Sequence, residues 1–70
     1  MIRQQVESSS VRSLGYDPAN RALEVQFASG AVYRYLDVPA RVVEGLAAAS
    51  SIGGYVARNV RNVYRYRRLG

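Results

Sequence analysis

The stretch Ala22-Leu23-Glu24-Val25-Gln26-Phe27-Ala28-Ser29-Gly30-Ala31-Val32-Tyr33-Arg34-Tyr35-Leu36 constrains this chain more than any other. Leu23, Val25 and Phe27 alternate with Glu24 and Gln26, the period-two pattern of a strand with one buried face. Ser29-Gly30 interrupts the pattern, and Tyr33 and Tyr35 resume it on either side of Arg34. The stretch reads as a β-hairpin, and the rest of the chain has to cover its apolar face.

Register decides what the two tyrosines do, because a slip of one residue sends every side chain to the other face. A two-residue Ser29-Gly30 loop pairs Val25 with Arg34 and turns Tyr33 and Tyr35 outward as a stacking platform. A three-residue loop over 28–30 pairs Val25 with Tyr33, Leu23 with Tyr35, and Glu24 with Arg34. The second register is favoured, since Gly30 supplies the left-handed residue that such a loop needs. It also sets opposite charges across the strands on the solvated face. The tyrosines are then core residues first and a platform second.

The flanking sequence extends the hairpin. Val11, Leu14 and Tyr16 mark a first strand, and Asp17-Pro18-Ala19-Asn20 is a strong turn leading into the hairpin. Ser8-Ser9-Ser10 reads as a lead-in to that strand or as solvated hydroxyls, with no base nearby to activate a nucleophile. Beyond Leu36, Asp37-Val38-Pro39 opens a helix from about residue 39 or 40 to 49, with Asp37 near its positive end. Val42 or Val43, Leu46 and Ala49 face inward, and Gly45 is read as allowing close approach to the sheet. Ser51 is placed as the N-cap of a second helix running to 62 or 63. Ile52, Tyr55, Val56, Val60 and Val63 form its apolar stripe.

Charge is distributed unevenly. All ten basic residues are arginine, and residues 1–44 balance five arginines against five acids. Residues 45–70 hold Arg58, Arg61, Arg65, Arg67 and Arg68 and no acid, so the whole net charge of +5 sits there. Arginine usage can follow a GC-rich genome, but codon bias does not remove acids from one end of a chain. At about 100° per residue, Arg58, Arg61 and Arg65 fall opposite the apolar stripe, provided the helix reaches that far. The tail Tyr64-Arg65-Tyr66-Arg67-Arg68-Leu69 interleaves rings with guanidinium groups, a composition suited to stacking on bases and neutralising phosphates. The plain alternative is a solvated helix face followed by docked tyrosines.

Other chemistry is thinly represented. The chain has no cysteine and no histidine, which excludes disulfides, thiol catalysis and the usual zinc sites and fits a cytoplasmic protein. Glu7, Asp17, Glu24, Asp37 and Glu44 lie on different elements and form no obvious catalytic pair or metal cluster. Ser51-Ile52-Gly53-Gly54 could present N–H groups to an anion, but no Gly-Lys-Ser/Thr follows as in a P-loop, and the favoured reading is that the glycines let the second helix approach the sheet closely. No run reaches the length of a membrane span, and the N-terminus lacks a signal peptide's apolar core.

The order of motifs resembles the KTSC domains. It is carried by Val11-Arg12-Ser13-Leu14-Gly15-Tyr16-Asp17, Leu23-Glu24-Val25-Gln26-Phe27 with Gly30, and Tyr33-Arg34-Tyr35. Val38-Pro39, Ser51-Ile52-Gly53-Gly54-Tyr55 and Asn59-Val60-Arg61 leading into Tyr64-Arg65-Tyr66 continue it, over about residues 8–69. Such domains are small bacterial proteins, and the same module is appended to some lysyl-tRNA synthetases, a company that implies RNA binding. Val56-Ala57 departs from a Phe-Asn pattern in the family, and Arg65 stands where a proline is common.

The expected fold is α+β, a three-stranded antiparallel β-meander followed by two α-helices packed on one face, with a basic C-terminal tail. Residues 1–7 are expected to be flexible and 8–70 to form a single domain. The expected function is non-catalytic nucleic-acid binding, with RNA ahead of DNA, through Arg58, Arg61, Tyr64, Arg65, Tyr66, Arg67 and Arg68. Recognition of an acidic protein surface is the alternative, and an enzyme ranks below both. No cofactor or metal is expected.

Overall fold

The computed structural model of the chain describes residues 4–6 and 8–70. The hairpin joins β3 (Ala22–Phe27) to β4 (Val32–Tyr35), pairing Leu23 with Tyr35, Glu24 with Arg34 and Val25 with Tyr33. This is the register of the three-residue loop. Gly30 donates its N–H to the Phe27 carbonyl at 2.9 Å, and Phe27 donates to Ala31 at 2.9 Å. Gly30 lies at φ 94°, where any residue carrying a Cβ is strained. Leu23, Val25 and Tyr35 are consequently buried and Tyr33 is half-buried.

The other face of the hairpin is drier than its charged residues imply. Glu24, expected in solvent, is buried. A carboxylate tolerates such a position only when it is paired, and Arg34 Nη1 approaches Glu24 Oε2 to 3.5 Å. Arg34 also reaches Asp17 Oδ2 at 3.8 Å.

β2 (Val11–Asp17) runs antiparallel to β3 with an irregularity between Val11 and Ser13, where Arg12 is the extra, exposed residue. The turn into β3 is closed by Asp17. Its Oδ1 accepts the N–H groups of Ala19 at 3.1 Å and Asn20 at 3.4 Å, and its Oδ2 accepts Asn20 Nδ2 at 2.7 Å. The Asn20 side chain is the foremost reason that the Asp17 carboxyl titrates below its ordinary value.

The sheet has five strands in the order β1-β2-β3-β4-β5, not the three expected. β1 (Gln4–Gln5) pairs with β2, setting Gln4 opposite Leu14. β5 (Tyr66–Arg68) pairs with β4, setting Arg67 opposite Arg34. Two consecutive glutamines carry no alternation, and the exposed residues of β5 show no buried face, so neither edge strand was apparent from hydrophobic pattern. Of the segment 1–7, residues 1–3 and 7 lie outside the described residues.

Helices α1 (Ala40–Ala48) and α2 (Ile52–Asn59) cover one face of this sheet. Val38, Leu46, Val56 and Val60 meet Val11, Leu23, Val25 and Tyr35 there to form the core. Ser51 caps α2 as expected, its Oγ accepting the Gly54 N–H at 3.2 Å. Asp37 does not cap α1, which has no side-chain cap. It bends the chain at φ 56° so that Val38 can donate to the Arg21 carbonyl at 2.8 Å.

α2 stops short of the expected 62 or 63. The N–H groups of Val60 and Arg61 converge on the Val56 carbonyl at 3.0 and 2.8 Å, and Asn62 adopts a left-handed φ of 65°, an ordinary way to end a helix. Val63 is thereby left exposed and drops out of the apolar stripe. Gly45 also differs from expectation, since it faces the second helix instead of the sheet. A Cβ there would collide with the Tyr55 hydroxyl and lie 3.0 Å from Tyr55 Cζ. Gly53 makes the close approach, against Ser10 Oγ in the lead-in to β2.

Candidate functional site

Pairing of β5 with β4 divides the basic tail between two faces of the sheet. Tyr66 lies opposite Tyr35 and Arg68 opposite Tyr33, on the face that carries the helices. Arg67 lies opposite Arg34 on the other face. Arg65 precedes β5, and its carbonyl accepts the Leu36 N–H at 2.8 Å. Backbone pairing therefore fixes where each ring and each guanidinium leaves the strand.

The rings meet as a contiguous group. Tyr66 stacks on Tyr33 with centroids 5.0 Å apart and planes 16° from parallel. It also leans on Tyr35 at 5.8 Å. Tyr33 packs edge-on against Phe27 at 5.4 Å, and the Arg61 guanidinium lies 5.6 Å above the Phe27 ring centre, within cation–π range. One end of the group is closed, with Tyr35 only 1% exposed; the other is open, with Tyr66 56% exposed. Burial raises the Tyr35 hydroxyl above its ordinary value, and the charge of Arg61 opposes that shift.

Arg58, Arg61, Arg65, Arg67 and Arg68 are all exposed. The ion pairs found among the described residues both belong to Arg34. Arg68 Nε donates to the Gly70 carbonyl at 3.2 Å, which steadies the guanidinium while leaving its terminal nitrogens available. Arginine in this state can clamp a phosphate with two hydrogen bonds.

The three arginines assigned to one helix face do not share one. Arg58 alone is on α2, Arg61 is in the turn after it, and Arg65 is in the connection to β5. Arg58 and Tyr64 line a separate shallow cleft of about 360 Å³ with Arg41 and Asn59. Arg61, Tyr66 and Arg68 are brought to the ring group, and Arg67 is turned away from it. Sequence reasoning did not connect Phe27 with the group, and it weighed Tyr33 with Tyr35 as core first and a stacking platform second. Tyr33-Arg34-Tyr35 alternates as a strand does, but its partner Tyr66-Arg67-Arg68 has no buried face, so hydrophobic pattern could not bring the two together.

Two other features carry less. The Gly54 N–H at the start of α2 is already taken by Ser51. An apolar hollow of about 520 Å³ between β2 and the helices, lined by residues such as Leu14, Tyr16, Val43 and Ile52, has no charged side chain among the described residues of its wall.

Comparison with known proteins adds a family and relatives. Residues 7–64 match the KTSC domain family, a match that ends just before β5. An uncharacterised protein of Stutzerimonas stutzeri is 49% identical over 70 residues and aligns with 99% of each chain. A lysine–tRNA ligase of a Nostoc species is 33% identical over 63 residues, which cover 90% of this chain and 11% of the ligase. The crystal structure of a KTSC domain protein from Yersinia pestis superposes with a TM-score of 0.95 at 39% identity, covering 99% of this chain and 97% of that one. At 99% of this chain, that superposition extends past residue 64 over the β5 residues.

Proposed function

We propose, from the premise that the chain belongs to the KTSC domain family, that it is a small non-catalytic module that binds RNA through the arginine-rich surface of its last third. One observation carries this reading: exposed arginines, without Asp or Glu partners among the described residues, stand beside an open stack of tyrosine rings. Charge of one sign with no internal compensation favours a polyanion, and interleaved rings favour one that also offers bases. Similarity to part of a lysine–tRNA ligase, a protein named for a tRNA, supports RNA over DNA.

The test is a salt series. Binding of a short labelled oligouridylate should weaken steeply as salt rises, because each neutralised phosphate releases counterions. Replacing Arg61, Arg65 and Arg68 together by Gln should flatten the slope by about two, at roughly 0.7 per phosphate of a single strand. Replacing Arg12 and Arg21, exposed in the charge-balanced part of the chain, should change it little. An unaltered slope in the triple variant removes this surface from the assignment. A parent protein that binds no RNA at low salt turns the reading to an acidic protein partner.

A further inference from the structure

We infer that the outer face of Tyr66 is the seat of one unpaired nucleobase, so that the ligand is single-stranded at the point of contact. The inference rests on the RNA-binding reading above and names what that surface recognises beyond charge.

Ring geometry supports this. Phe27–Tyr33 and Tyr33–Tyr35 meet at interplanar angles of 69° and 64°, so each presents an edge to a face and closes the group on that side. Arg61 lies over one face of Phe27. Tyr33 and Tyr66 are near parallel, at 16°, and a parallel stack has a further face to offer. β5 is the last strand of the sheet, so no described strand lies beyond it to cover that face. A half-exposed tyrosine on an edge strand is ordinary by itself. Its second face becomes a site because a rigid ring already supports the first and cations flank it.

Arg68 leaves β5 on the same side as Tyr66, with its Nε tethered to the Gly70 carbonyl. Arg65 and Arg67 leave on either side of Tyr66 in sequence, Arg67 towards the opposite face of the sheet. A nucleotide chain crossing this edge can therefore lay a base on Tyr66 beside the Arg68 guanidinium and carry its backbone over the edge of the sheet towards Arg67. The interior of a duplex cannot do this, because its bases are already stacked on both faces. Stacking reads the π-face that every base possesses, so the site should tolerate any base in this position.

Tyr66→Leu removes the ring and keeps an apolar residue on β5; Tyr66→Trp enlarges the ring and introduces the only tryptophan of the chain. Parent and variants are titrated with oligouridylate, an RNA duplex of equal charge, and inorganic polyphosphate. Tyr66→Leu should lose about ten- to a hundredfold in affinity for the single strand while keeping its affinity for polyphosphate. Tyr66→Trp should retain single-strand affinity, and its fluorescence should be quenched by the single strand and not by the duplex. Equal losses towards single strand and polyphosphate, or no loss towards either, overturn the base site. If RNA binding then persists with a salt slope that depends on the arginines, the functional reading survives without it. If the parent binds neither nucleic acid, both fall together.

Discussion

Substituting Gly45 by Ala isolates the contact between the two helices. In most helices this change helps, because glycine costs about 1 kcal/mol relative to alanine in a helix interior. Here the new methyl would collide with the Tyr55 hydroxyl and lie 3.0 and 3.2 Å from Tyr55 Cζ and Cε2. The ring cannot move without giving up the hydrogen bond that its hydroxyl donates to the Val42 carbonyl at 3.0 Å. Overpacking costs about 1–3 kcal/mol and the lost hydrogen bond about 1 kcal/mol. Set against the helical gain, the net destabilisation is about 2 kcal/mol, or roughly 8–16 °C in Tm for a domain of this size. Thermal unfolding followed by circular dichroism measures it. The stronger check is a double-mutant cycle: in a Tyr55→Ala background the same Gly45→Ala change should reverse sign and stabilise by about 0.5–1 kcal/mol. If Gly45→Ala raises Tm in the parent, or costs as much with Tyr55 absent as with it present, the steric argument is wrong.

Two further predictions concern Tyr35. Its ring is only 1% exposed, so Tyr35→Ala should cost about 3 kcal/mol or more in urea unfolding, as other buried aromatic truncations do; a loss below about 1 kcal/mol would contradict its place in the core. Burial raises the pKa of the same hydroxyl above the ordinary tyrosine value of 10.0, so the native state holds that proton more tightly than the unfolded chain. The resulting stability is fully present below pH 10.0 and declines as pH rises from there through the higher native value; a stability curve flat across that alkaline range would refute it.

Much of the fold is legible in the sequence where local chemistry has one good solution. Gly30 fixes the loop, the loop fixes register, and register puts Glu24 beside Arg34 and Leu23 beside Tyr35. Ser51 announces its cap, and Asp17 and Asn20 announce their turn. The losses come where long-range pairing overrides local pattern. Val60 and Val63 keep helical spacing, yet Asn62 ends the helix in a left-handed turn that Val63 cannot reverse. Tyr66 and Arg67 alternate as a strand does, but β5 has no buried side, and only the free edge of β4 makes it a strand. The candidate site suffered accordingly. A helix face was expected to collect Arg58, Arg61 and Arg65, whereas a strand edge collects Tyr66 and Arg68 around rings contributed by the hairpin.

The order of strands in the sheet sets the entropic cost of each pairing. β1 to β4 are neighbours both in the chain and in space, and short connections make such pairing entropically inexpensive and fast. β5 is the exception, because residues 36–65, including both helices, separate it from β4. Closing a loop of about thirty residues costs roughly 2 kcal/mol more than closing one of three. Pairing of β1 to β4 therefore needs no closure across the helices, whereas the Tyr66 cover over Tyr33 and Tyr35 does. The aromatic stack accordingly carries the largest closure entropy of any strand pairing in the sheet, and holds only while both helices keep β5 in place beside the hairpin.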